Sequence, residues 1–208
     1  MQKINYNLKM EEIIDEIKDK DKKPRLLLQA CCAPCSSSVL KRLKDYFDID
    51  IYYYNPNIYP IDELNKRVDT VKNLVNNMGL DIGVIFPDND SKDFYQYVDT
   101  RKDDIEGGKS CYKCYKLRLE KTCLYAKDHS YDFFTTTLSI SPYKRSAWLN
   151  EIGRDLEKKY GVKYLYSDFK KKDGYKDSIE MSKEFGLYRQ NYCGCIFSFR
   201  EMRDRENK

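Results

Sequence analysis

The sequence predicts an α/β domain with a parallel sheet flanked by helices. Short apolar segments suited to buried strands alternate with longer segments whose apolar residues recur at helical spacing. The connections between them are short, as in βαβ units. The chain has 208 residues and contains no apolar run of 18 residues. One domain without a membrane span is therefore expected.

Residues 1–24 are predicted to form an N-terminal helical extension. Met10, Ile13, Ile14 and Ile17 share one helical face within residues 9–20. The charged segment "DKDKKP" follows and resembles a linker. Residues 25–208 are then expected to form the single α/β domain.

The first part of this domain is predicted to be a β-α-β-α-β unit with right-handed crossovers. Gly79 supplies the stop signal of its second helix. The predicted strands cover residues 25–30, 49–57 and 81–88, and the helices cover residues 36–47 and 61–79.

The second part continues the alternation after a helical insert. The insert is expected to hold two helices, and two short C-terminal helices are expected around "YRQNYCGC". In order, the predicted segments are the insert at 90–128, a strand at 131–139, a helix at 144–161, a fifth strand at 162–169 and the C-terminal helices within 170–208.

Charge and targeting signals give weaker limits on function. The net charge of +4 permits a nucleic-acid partner without requiring one. The N-terminal segment lacks the continuous apolar core of a signal peptide. We therefore expect a cytoplasmic protein, and in that compartment clustered cysteines more often bind metal or perform redox chemistry than form structural disulfides.

Three of the eight cysteines follow the first predicted strand directly. Cys31, Cys32 and Cys35 lie in "CCAPC", at the carboxyl end of the strand, where sheets of this type bind ligands. A disulfide, a metal or cluster site, and apolar packing are the competing explanations. The position after the strand argues against packing alone.

A second cysteine motif begins a predicted helix. Cys111 and Cys114 form a C-x-x-C, which can hold a metal or one edge of an iron–sulfur cluster, or act as a thioredoxin-like redox pair. Together with "CCAPC" it supplies enough thiols for a 4Fe–4S cluster or an all-cysteine zinc site. Adjacent cysteines suit a cluster better than zinc.

The third motif is Cys193-Gly194-Cys195. These two cysteines can close a small, strained and easily reduced disulfide, which suits a two-electron relay, or they can be two more metal ligands. Cys123 is interpreted as a small buried hydrophobe. The single histidine, His129, is expected at the surface, and it excludes a His-rich metal site.

Three further features bear on the site. Asp168 ends the fifth predicted strand, where its carboxylate would face the cysteines as a ligand or proton donor. The basic loop at 168–176 is either a solvated face or a phosphate contact. Trp148 is expected to pack in the core. No phosphate-loop motif is present, so nucleotide chemistry is expected to be lost or replaced.

Five motifs in one order resemble the cobalamin-independent epoxyqueuosine reductase (QueH) family over residues 25–200. They are "CCAPC", "CYKCYKLRL", "FFTTTLSISPYKR", "SDFKK" and "YRQNYCGCIFS". The resemblance implies a HUP-like, Rossmann-like architecture and an oxidoreductase of tRNA processing. The implied reaction is the last step of queuosine biosynthesis, in which epoxyqueuosine at the wobble position of the anticodon loses its epoxide oxygen as water.

The resemblance also implies which residues act. Cys31, Cys32, Cys111 and Cys114 would ligate a 4Fe–4S cluster, and a Cys193–Cys195 disulfide would be redox-active. Cys35 could ligate an additional iron ion, with Asp168 as another candidate ligand, or could only start the helix. The implied partners are tRNA and an unidentified electron donor. Candidate tRNA contacts are Tyr54, Tyr143, Tyr188 and Tyr192 for bases and Lys170, Lys171 and Arg189 for phosphates.

Two other functions stay open. A zinc-binding RNA-interaction module without turnover would use four of the thiols on one metal, but it has no need of the C-G-C pair. A thiol–disulfide oxidoreductase would cycle Cys35 with Cys31 or Cys32 without metal, but it leaves Cys111 and Cys114 unexplained.

Overall fold

A computed structural model describes residues 4–98 and 106–207, and its centre is a five-stranded parallel sheet. The strand order is β3-β2-β1-β4-β5, which matches the first five strands of the Rossmann order. The predicted α/β fold class is confirmed. The strands are β1 Arg25–Gln29, β2 Asp48–Tyr52, β3 Gly83–Ile85, β4 Phe133–Thr136 and β5 Lys163–Tyr164.

Helices cover the sheet, and the segments predicted to be helical all contain one. The described helices are α1 Tyr6–Ile17, α2 Ala33–Leu43, α3 Ile61–Asn77, α4 Ser91–Tyr97, α5 Lys109–Asp128, α6 Ser146–Tyr160, α7 Gly174–Glu184 and α8 Ile196–Glu206, with a short 3-10 helix at Thr137–Ile140. Part of the predicted insert, residues 99–105, lies outside the described residues. No helix in the described ranges is long and apolar enough to cross a membrane.

The strands are shorter than the apolar segments that predicted them. Along β4, the hydroxyl of Thr136 accepts a hydrogen bond from the backbone N–H of Leu138 at 3.1 Å. That local bond turns the chain into the 3-10 helix, so residues 137–139 leave the sheet. Helix α2 begins earlier than predicted, because Pro34 lacks an N–H and suits a first helical turn.

The central strand β1 separates two apolar cores. Leu26 and Leu28 belong to one core, and Leu27 faces the other, as the alternation of a strand requires. Met10 and Ile14 of helix α1 lie in the same core as Leu26. The N-terminal helix is thus packed into the main core rather than held apart from it.

Three side chains outside the cysteine motifs test the predicted packing. Cys123 is fully buried in the second core, which confirms its structural reading. His129 is exposed as expected, with its ring stacked on Tyr125 at 3.8 Å. Trp148 is only half-buried, and its indole lies under the Arg145 guanidinium at the edge of the core.

Candidate metal and redox site

The turn between β1 and α2 brings three sulfur atoms together. The Sγ atoms of Cys31, Cys32 and Cys35 all lie within 4.8 Å of one another, and the Cys31 and Cys32 sulfurs are 3.9 Å apart. Cys32 is the N-cap of α2 in an extended conformation, and Ser36 Oγ donates to its carbonyl at 2.8 Å. The adjacent cysteines therefore direct their side chains toward a common point.

Buried polar groups hold this turn in place. Asn55 Nδ2 donates to the Ala30 carbonyl at 2.8 Å, and Tyr53 Oη donates to the Cys31 carbonyl at 3.2 Å. Gln29 Nε2 donates to the Tyr54 carbonyl at 3.2 Å. These bonds fix the cysteine turn to the chain that follows β2, because each satisfies a buried polar atom that water cannot reach.

The three thiols do not ionise alike. Hydrogen bonds from Cys32 and Cys35 hold the pKa of Cys31 well below its ordinary value, with the Arg118 and Lys144 charges assisting. The hydrogen bond with Cys31 raises the pKa of Cys32 to about 12, and the hydrogen bonds with Cys31 and Cys32 raise the pKa of Cys35 well above its usual range. Cys31 is thus the most acidic of three converging thiols, and such a donor set suits a metal.

The C-x-x-C motif lies in the first two turns of α5, at the helix start as predicted. Cys111 Sγ accepts a hydrogen bond from the Gly107 N–H at 3.3 Å, and Cys111 shares the second apolar core with Cys31 and Cys32. Cys114 packs instead against Cys195 in a small third cluster. Burial raises the pKa of Cys114 to about 12. The second motif therefore lies between the cysteine turn and the C-G-C segment.

No disulfide joins Cys193 and Cys195 in this structure. Gly194 between them has φ +127°, a conformation that favours glycine. The Cys195 sulfur caps α8 by accepting the Ser198 N–H at 3.5 Å. The Cys193 sulfur accepts a hydrogen bond from Lys144 Nζ, also at 3.5 Å. The predicted disulfide stays a prediction.

Three cations that the sequence did not single out surround these thiols. Arg67 and Arg118 are 1% and 2% exposed, and Lys144 is half-buried. Burial opposes the charge of Arg67, Arg118 and Lys144, yet the neighbouring sulfurs outweigh it and raise the pKa of each. The site is therefore a buried, positively charged environment for thiolates.

The two arginines are oriented by different partners. Arg67 Nε pairs with Glu63 at 2.7 Å, and Arg67 Nη1 donates to the Cys193 carbonyl at 3.2 Å. Arg118 Nη2 donates to Asn55 Oδ1 at 2.5 Å, while its buried Nε has no hydrogen-bond partner in the described part of the chain. A signal for Arg67 was present in the sequence as the i,i+4 spacing from Glu63.

The structure places Asp168 apart from the group of converging ligands. Among the described residues, that group contains the three cysteines of the turn alone. The Asp168 carboxylate pairs with Lys170 Nζ at 2.7 Å, and Lys170 Nζ also donates to the Ser139 carbonyl at 3.2 Å. A role for Asp168 as an iron ligand stays a prediction.

The candidate tRNA contacts differ in accessibility. Tyr143 is 76% exposed, whereas Tyr54 is 2% exposed with its hydroxyl on Asp93, which leaves no ring face for a base. The prediction that Tyr54 stacks on a base is therefore wrong. Arg189 is engaged with the Ser178 carbonyl at 3.1 Å.

The remaining candidates fall into two groups. The hydroxyls of Tyr188 and Tyr192 are bonded to Glu63 at 2.9 Å and to the Tyr59 carbonyl at 2.5 Å, respectively. Lys171 is exposed. Tyr143, Lys171 and Arg189 are thus the exposed members of the predicted set, although Arg189 also donates to the Ser178 carbonyl.

Comparison with known proteins gives a consistent family. The model of the family described as "Epoxyqueuosine reductase QueH" matches residues 26–201. A protein named epoxyqueuosine reductase QueH from Staphylococcus epidermidis is 38% identical, covering 95% of this chain and 85% of that protein. One from Thermotoga maritima, with the same name, is 36% identical over 86% of this chain and 93% of its own length.

The matched region contains all three cysteine motifs and each cation that surrounds them. Both relatives exceed the identity at which a shared fold and family are secure, over most of their length. The chain therefore belongs to the epoxyqueuosine reductase QueH family.

Proposed function

We propose that this protein reduces epoxyqueuosine to queuosine in the anticodon of tRNA. One observation carries the proposal: the sulfurs of Cys31, Cys32 and Cys35 converge within 4.8 Å at the carboxyl end of the central strand. That edge of a parallel sheet is where ligands bind. The named relatives supply the substrate and the reaction class.

Cys31, Cys32, Cys111 and Cys114 would hold a 4Fe–4S cluster. A cluster with four thiolate ligands is anionic, and the buried Arg67 and Arg118 supply compensating charge. The buried Arg118 Nε, which has no acceptor among the described residues, fits the same conclusion, because a buried donor needs an acceptor. When bound, the cluster would supply one-electron transfer, and Lewis-acid chemistry would need an iron with an open coordination site.

Cys35 is left for a second role. Its sulfur lies within the converging group, although it is not needed once the C-x-x-C contributes two ligands. An additional iron ion beside the cluster is one use of it, with Asp168 as the other candidate ligand. The start of helix α2 is the alternative, and the iron content decides between them.

The C-G-C pair would supply the two electrons. Oxidation of the Cys193 and Cys195 thiols to a disulfide releases two electrons and two protons. Loss of the epoxide oxygen as water consumes both, and it leaves a carbon–carbon double bond. An external donor, not yet identified, would then reduce the disulfide again in a reducing compartment such as the cytoplasm.

The nucleoside must leave the anticodon stack to reach thiols this deep. Tyr143 follows the 3-10 helix, is 76% exposed and precedes Lys144, whose amine touches the Cys193 sulfur. An exposed aromatic ring at that position suits stacking on a neighbouring base. Lys171 and Arg189 are the exposed candidates for a phosphate contact.

The test is metal content and turnover of the anaerobically purified protein. We expect about four iron and four sulfide per chain and conversion of epoxyqueuosine in tRNA, followed by nucleoside digestion and mass spectrometry. Cys111→Ser should lose iron, whereas Cys123→Ser, a buried cysteine outside the site, should retain it. Cys193→Ser should keep iron and lose turnover. One zinc without sulfide would instead favour the RNA-binding module.

A further inference from the structure

Lys144 is a charged side chain that touches the Cys193 sulfur of the C-G-C pair. It lies in the turn between the 3-10 helix and α6, where its backbone N–H donates to the Ser141 carbonyl at 3.2 Å. Its Nζ donates to Cys193 Sγ at 3.5 Å, within the range of a hydrogen bond to sulfur. Across residues 4–98 and 106–207, no other hydrogen bond reaches that sulfur.

The surroundings keep Lys144 charged and available. No carboxylate in the described ranges lies within ion-pairing distance of its amine. The charged or titratable groups that act on it are Cys193, Tyr115, Cys31 and Glu106. Burial opposes its charge, but these groups together raise its pKa well above the ordinary value.

We propose that Lys144 is a catalytic residue, whose ammonium group holds the Cys193 sulfur and delivers a proton to the departing epoxide oxygen. The proposal rests on the function proposed above. It deepens that function by naming the proton donor, a role that the cysteine motifs leave unassigned.

The step balances without any further reactant. Both carbon–oxygen bonds of the epoxide break, a carbon–carbon π bond forms, and a sulfur–sulfur bond forms between Cys193 and Cys195. Two electrons pass from the thiols to the carbon skeleton, and the two thiol protons leave with the oxygen as water. The proton of Cys193 travels through Lys144: one ammonium N–H bond breaks at the oxygen, and the amine regains a proton from the thiol.

The contact is tested first without tRNA, so that this readout does not depend on the proposed substrate. The fully reduced protein is treated with iodoacetamide, and modification of Cys193 is located by peptide fragmentation. Loss of one charge-assisted hydrogen bond should slow alkylation in Lys144→Met about tenfold. Lys144→Arg should stay near wild type. Lys159→Met serves as the control, because that lysine pairs with Glu120 on the surface.

The proton delivery is tested by turnover. Lys144→Ala should retain its iron and lose about 10²-fold or more in rate, the usual contribution of a general acid. Added ethylammonium should restore part of that rate, which a merely structural defect would not allow. Wild-type rates of alkylation and turnover in Lys144→Met would overturn the proposal. A wild-type protein inactive on tRNA would overturn the proposed function, while the alkylation result still decides the contact.

Discussion

Arg67 links helix α3 to the C-G-C segment. Its replacement by methionine tests how much this link contributes to the stability of the fold. The substitution keeps an unbranched chain but removes the 2.7 Å ion pair with Glu63. It also removes the hydrogen bonds to the carbonyls of Cys193 at 3.2 Å and Tyr192 at 3.4 Å. Both partners of the ion pair are buried, so Glu63 would keep a charge without its counter-ion.

The expected loss in unfolding free energy is about 3–5 kcal/mol, the usual effect of removing one partner from a buried ion pair. Glu63→Gln should also destabilise, because it leaves the guanidinium charge uncompensated. The double variant should lose less than the sum of the two, since neither charge remains. Glu63 retains one bond in Arg67→Met, from the Tyr188 hydroxyl at 2.9 Å, which limits the loss to the lower part of that range.

The assay is equilibrium urea unfolding followed by circular dichroism, with Arg154→Met as the matched control. Arg154 forms its ion pair with Asp155 at 2.9 Å on the surface, where solvent screens it, so its loss should cost far less than the loss of a buried pair. If Arg67→Met were no more destabilised than Arg154→Met, the arginine would not hold the C-G-C segment. Strict additivity in the double variant would refute the coupling.

Three further substitutions probe other parts of the structure. Gly194→Ala should lower the unfolding free energy by about 1–3 kcal/mol, because φ is +127° and a Cβ would meet Nη1 of Arg67 at 3.0 Å. Its control is Gly79→Ala, where φ is +59° and nothing lies within 4 Å of a Cβ, and the expected loss in unfolding free energy is about 1 kcal/mol. Tyr164→Phe should be neutral or slightly stabilising in thermal unfolding, since its buried hydroxyl has no partner of good hydrogen-bond geometry among the described residues, and a clear loss of stability would contradict this. A hydrogen bond from Lys172 lowers the pKa of Glu11, so the pair stabilises above pH 4.5 and is lost as the pH falls through the lowered value. The urea midpoint of Lys172→Ala should therefore differ from wild type at pH 7 by a small amount that vanishes in acid, and a difference that grew in acid would reverse the sign of the argument.

The fold was largely predictable because the apolar pattern records which segments are buried. The run at 25–30 indicated the central strand, and the cysteines after it were correctly placed at its carboxyl end. Strand ends were harder to predict. They depend on local bonds such as the one from Leu138 N–H to Thr136 Oγ1, which pattern alone does not reveal.

The charged part of the site was not predictable in the same way. Arg67 and Arg118 lie in segments rich in lysine and glutamate, where an arginine normally faces solvent. Their burial depends on sulfur atoms and carbonyls contributed by distant parts of the chain, such as Cys193. The expectation that Tyr54 contacts a base failed because the sequence does not show whether a tyrosine faces solvent or the interior, and Tyr54 is buried.

The brevity of the two outer strands affects how the protein behaves at high concentration. β3 has three residues and β5 has two, so each border of the sheet offers few free backbone groups to a strand from another molecule. Asp50 Oδ1 further occupies the N–H of Gly83 at 3.1 Å. The chain can therefore keep an exposed ring such as Tyr143 at its surface without also presenting a template for β-aggregation.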